Sequence, residues 1–122
     1  MRLIIAAAVL LLAAPASAQT TRTLDQFVTE ANRVPLNPTS ALRADARRLM
    51  REFSTSMGVV SARIEADRAA GRTPAACPPE RIQLNPRELL AELNAIPQAR
   101  RASMSVPDGL QHWMAGRYPC GA

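Results

Sequence analysis

Cys77, Cys120 and the lone His112 are the residues of this chain best suited to covalent or proton-transfer chemistry. Their types and spacing admit three chemistries. In an oxidising compartment the two cysteines form a structural disulfide, closing a loop of about 44 residues. A thiol activated by His112 would instead be a nucleophile, but it would have to stay reduced, and no third group is spaced to orient the imidazole. A metal centre needs close-spaced ligand pairs, which two distant cysteines and one histidine do not supply. The disulfide is the expected state. Asp108 and His112 also stand at i and i+4, followed by Trp113. They offer an acid/base unit or pH-sensitive contact, or a plain helix-surface pair of about a few tenths of a kcal/mol. G-x-S-x-G, H-E-x-x-H and a glycine-rich phosphate loop are all missing, with only five glycines in the chain. The expectation is a protein that is not an enzyme and needs no cofactor or metal.

The charge pattern has one localised feature. All fifteen basic residues are arginine, against ten acids. Arg43, Arg47 and Arg51 follow one another at i+4 steps, with Arg48 and Arg68 nearby. At about 100° per residue they flank the apolar stripe of the same segment, so a basic ridge borders whatever that stripe packs against. The ridge reads either as a contact for an anion or acidic partner, or as a solvated face whose arginine stems cover apolar surface. Nucleic acid is not an expected partner, because the chain is short of aromatics and has no recognisable binding motif.

The first 18 residues, MRLIIAAAVLLLAAPASA, carry one arginine, an apolar run and the small-residue ending Ala16-Ser17-Ala18. They read as a secretory signal peptide, and its removal would leave residues 19–122 as a single small domain with a net charge near +4. No later stretch approaches the roughly 20 apolar residues that span a bilayer. The expected location is therefore the periplasm, free of the membrane once the signal is cleaved.

Near the start of the expected mature chain, Leu24, Phe27, Val28 and Ala31 recur at helical spacing after a cap at Thr23, predicting a helix over about 24–33. Val34 to Pro38 must turn. Leu42, Ala46, Leu49, Phe53, Met57, Val60 and Ile64 then predict one long helix from Thr39 or Ser40 to about Ala70, ended by Gly71. Gly58 in its middle marks a weak point or a close packing contact. The proline-rich connector 71–79 leads to Asn85-Pro86-Arg87-Glu88, a helix start whose buried face is Leu89, Leu90, Leu93 and Ile96, stopped by Pro97. A last helix is expected from Ser103 or Ser105 to about Arg117, burying Leu110, Trp113 and Met114. No strand pattern appears. The expected fold is all-α, about four helices, with one disulfide and no sheet.

Read as one unit, residues 76–120, ACPPERIQLNPRELLAELNAIPQARRASMSVPDGLQHWMAGRYPC, resemble the C-terminal half of the small exported Tai-type immunity proteins. Those proteins neutralise type VI secretion amidase effectors. The resemblance rests on Cys77-Pro78, the helix from Pro86 to Ile96, Pro97, and Tyr118-Pro119-Cys120, in order and spacing. Family members commonly have a further cysteine pair upstream, which this chain lacks; Met57 to Ser61 resembles their glycine-containing segment on the second helix. The resemblance implies stoichiometric occlusion of a cognate peptidoglycan amidase by an exposed loop, and a homodimeric state. By position, the segments 71–80 and 98–105 are the expected contact loops, so Arg72, Arg100 and Arg101 join Arg43, Arg47 and Arg51 as expected partner contacts. The alternative expectation is a periplasmic structural or chaperone-like helical protein with no enzymatic target.

Overall fold

Thr23 and Gln26 start the first helix reciprocally: the Thr23 hydroxyl accepts from the Gln26 amide at 3.2 Å and the Gln26 side chain accepts from the Thr23 amide at 3.0 Å. This is a computed structural model, describing residues 22–121; the expected signal peptide lies outside the described residues. Helix α1 runs Leu24–Ala31, α2 Ala44–Ala69, α3 Pro86–Ala95, α4 Gln98–Arg101 and α5 Val106–Arg117. The fold is all-α. The one extended pairing among the described residues is an isolated antiparallel bridge between Thr23 and Ser105.

The long helix begins later than its apolar spacing implies. Asn37 caps the Ser40 amide, and the Ser40 hydroxyl donates to the Pro35 carbonyl, so Pro38–Leu42 closes into a 3-10 turn instead of a first α-turn. Arg43 is then extended, with ψ 141°, and breaks the continuity. Leu42 consequently leaves the buried stripe and stands 80% exposed. Beyond that point the stripe holds: Ala46, Leu49, Val60 and Ile64 are buried, and Phe53 and Met57 pack against them. Gly58 is exposed with nothing near an added Cβ, so it marks no close packing contact.

Gly71 ends α2 as expected, and the geometry explains why it must be glycine. Its φ is +71°, the left-handed region that a Cβ disfavours. The Arg72 amide returns to the Asp67 carbonyl at 2.8 Å and the Gly71 amide to Arg68 at 3.1 Å, a Schellman ending. The connector then runs to Cys77, which is bonded to Cys120, while the Cys77 amide donates to the Tyr118 carbonyl at 2.8 Å.

Helices α3 and α5 follow the sequence closely. Asn85 caps the Arg87 and Glu88 amides, and α3 buries Leu89 and Leu93. Ser105 and Asp108 form a second capping box at the start of α5, which buries Val106, Leu110, Trp113 and Met114. The Trp113 and Tyr118 rings meet edge to face at 6.4 Å. Between them the stretch 98–105 is not a protruding loop. It makes the single-turn helix α4, and the Met104 carbonyl accepts from the Leu24 amide at 2.8 Å, stitching it to α1.

Candidate functional site

Phe27 and Ala31 on α1, Leu49 and Phe53 on α2, and Leu89 and Leu93 on α3 surround an apolar groove of about 700 Å³. Its floor is core: Phe27, Leu49 and Leu93 are all buried. Its rim is not, since Leu36 is 42% and Met50 62% exposed, and Leu84 is also open to solvent. Among the residues lining the groove only Arg87 is charged, and its guanidinium donates to the Leu36 carbonyl at 3.4 Å.

Charged ties join the walls. Glu30 on α1 pairs with Arg22 and with Arg48 of α2, and Arg22 also pairs with Glu52 of α2 at 2.6 Å. The Arg22 hydrogen bond, then that from Arg48, holds the Glu30 carboxyl below its ordinary value, against the opposing effect of burial. The Glu52 hydrogen bond, first, and Glu30 drive Arg22 still further into its charged form. Arg22 also stands 5.8 Å from the centre of the Phe27 ring. On the other side, Asn32 of α1 and Asn94 of α3 exchange two amide hydrogen bonds of 3.0 Å.

Arg101 completes this frame. Its guanidinium donates to the Asn94 and Ile96 carbonyls at 2.9 Å and pairs with Asp25 of α1 at 3.2 Å, with the side chain only 14% exposed. It caps the end of α3 and anchors it to the start of α1. Arg101 is thus committed to bonds within the chain, whereas Gln98 to Arg100 on the same short helix stay exposed.

The other expected contact residues are scattered. Arg43 precedes α2 instead of riding on it, and its side chain folds back on Asp45 at 2.8 Å, a bond that holds the Asp45 carboxyl below and Arg43 above their ordinary values. Arg47 and Arg51 are on α2, exposed, and in no ion pair among the described residues. Arg72 pairs with Asp67 beyond the far end of α2, about 39 Å along the helix from its start. Arg100 is exposed on α4. These six arginines do not make one surface.

The face of α2 beside the groove is nonetheless one-sided in charge. Measured round the helix from Ala46, Met50 lies at about 40° and Arg47 and Arg51 at about 100° and 140°, whereas Arg48 and Glu52 fall at about 200° and 240°, toward α1. Measured from Leu89 on α3, the lining residues Leu90 and Arg87 lie at about 100° and 160°, and Glu88 and Glu92 at about 260° and 300°. The acids of both helices are turned from the groove or already paired. The charged residue in its lining is Arg87, and Arg47 flanks Met50.

The candidate catalytic groups do not assemble. Neither cysteine is a free thiol. Asp108 bonds Ser105 and pairs with Arg63 at 3.0 Å; burial acts to raise its carboxyl, but those hydrogen bonds bring it below its ordinary value. His112 is exposed. Among the described residues no three His, Cys, Asp or Glu side chains gather where a metal ion could sit, and no helix is long and apolar enough to cross a membrane.

Sequence reasoning missed the groove because its rim comes from outside the amphipathic faces. Met50 lies one position off the α2 stripe, and Leu36 and Leu84 are in connecting segments. The available signal was the presence of large apolar residues in segments where no helix face needed them. Compared with protein families, with curated proteins and with solved structures, the chain finds no match.

Proposed function

We propose that this chain is an exported protein-binding module that acts as a stoichiometric inhibitor of a peptidoglycan amidase, in the manner of the Tai-type immunity proteins that residues 76–120 resemble. The observation that carries the binding reading is the open apolar groove with exposed side chains on its rim, in a fold whose walls are locked by charged ties. A preformed surface loses little conformational entropy on association, which suits inhibition by occlusion. The closed Cys77–Cys120 bridge suits an oxidising compartment and supports the reading of residues 1–18 as a signal peptide.

The test has two arms. The tagged chain is expressed with its N-terminal segment, recovered from the periplasm with bound proteins, and added to type VI amidase effectors acting on peptidoglycan. The expected result is a tight complex and loss of amidase activity at equimolar ratio. Full activity together with no tight partner would end this reading. A second reading draws on the same exposed Leu36, Leu42 and Met50, which a chaperone-like protein would offer to unfolded clients. Suppressed aggregation of several unrelated clients, without one preferred partner, would favour it.

A further inference from the structure

We infer that the groove between α1, α2 and α3 is the receptor for an amphipathic helix of a partner protein whose apolar face is flanked by aspartate or glutamate. The inference rests on the binding-module reading and supplies the partner's chemistry.

Three observations select this occupant. The first is size. A small molecule seated in the concavity would cover its floor but leave Leu36, Met50 and the neighbouring Leu42 largely in water, because these side chains stand on or outside the rim. A helix lying along the groove covers floor and rim together, with apolar anchors at i, i+3 or i+4, and i+7.

The second is charge. Arg87 lies in the lining and Arg47 is the i−3 neighbour of Met50. Glu30, Glu52 and Asp45 are held in ion pairs, and Glu88 and Glu92 lie on the opposite flank of α3. The border thus offers cations and no facing carboxylate. Acidic flanks on the incoming helix complete it and steer its approach.

The third concerns a second copy of the chain. A two-fold contact through this groove sets the same patch against itself, and the charges that patch carries, Arg47 and Arg87, are of one sign. That arrangement repels, so the charge pattern disfavours self-association here.

The test selects helical peptides of about five turns from a displayed library against the purified, oxidised protein, and measures the affinity of the enriched sequences by calorimetry. The expected peptides combine the apolar i, i+3/i+4, i+7 pattern with Asp or Glu beside it. Met50→Glu and the pair Arg47→Glu/Arg87→Glu should each weaken binding at least about tenfold, and added salt should weaken it further. Val59→Glu, an exposed position on the other side of α2, should leave it unchanged. Thermal melts of each variant separate lost binding from lost folding.

The inference is overturned by any of four results: no enriched peptide, peptides with no acidic bias, binding indifferent to Met50→Glu, or a dimer that Met50→Glu dissociates. A fatty acid or other apolar small molecule that occupies the purified protein and is displaced by Met50→Glu would also overturn it. Because this assay uses no amidase, its failure is distinct from failure of the inhibitor reading, which the periplasmic assay decides.

Discussion

Gly109 has no side chain because the space belongs to Leu24. A Cβ built there would lie 2.5 Å from one Leu24 methyl and 2.6 Å from the other, and Leu24 is completely buried between the starts of α1 and α5. Gly109→Ala should gain about 1 kcal/mol of helix propensity but incur about 1–3 kcal/mol of overpacking, for a net loss of about 1 kcal/mol. Gly58→Ala, where an added Cβ meets nothing, should instead stabilise by about 0.5–1 kcal/mol. Urea titration of the two variants checks the opposite signs. At this scale the sequence was only partly legible. It located the N-caps Thr23, Asn85 and Ser105, whose signals are local, and the bridge, because the chain has only two cysteines to pair. Gly109 and Arg101 answer to residues 85 and 76 positions away, Leu24 and Asp25, and no spacing pattern along the chain carries such a contact.

Between elements, the tie most exposed to conditions is the charged cluster joining α1 to α2. The Glu30 carboxyl is held below its ordinary 4.5 in the folded chain, so the unfolded chain takes up its proton first as acid is added. Its stabilising effect is therefore complete above about pH 4.5 and is lost as pH falls through the lower folded value. Glu30→Gln should lower stability at neutral pH by about 1 kcal/mol and flatten part of the acid limb. The part governed by Asp108, which is lowered as well, should persist. Chemical denaturation at pH 3 to 7 measures both. The helices 24–31, 86–95 and 106–117 were legible because apolar periodicity and capping residues agree there; α2 was legible from its stripe and from Gly71 at its end, but not at its start, where Arg43 makes no side-chain cap. Two segments were not: 38–42, where side-chain hydrogen bonds favour a 3-10 turn, and 98–101, which is too short to display a period. The groove falls where periodic reasoning ends, since turn residues form much of its rim.

For the molecule as a whole, the core is thin and the disulfide is a large part of what keeps it folded. The core within 22–121 is one cluster of buried apolar residues drawn from α1, α2, α3 and α5, plus Ile96 just after α3 and Ala76 next to Cys77. Closing a loop with a separation of 43 residues removes about 4 kcal/mol of chain entropy from the unfolded state, on a model-dependent scale. That compares with a total of about 5–15 kcal/mol for typical domains. Cys77→Ser/Cys120→Ser should lose about 2–4 kcal/mol, and reductant should lower the melting temperature of the native chain but not of this variant. The same bond also divides the polypeptide topologically. Residues 77–120, with α3, α4 and α5, form a closed covalent ring, whereas α1 and α2 belong to an open tail. To a protease the two are unequal targets: one cut in the ring leaves a single covalent molecule whose ends remain in register, and one cut between α1 and α2 leaves α1 held by noncovalent contacts alone.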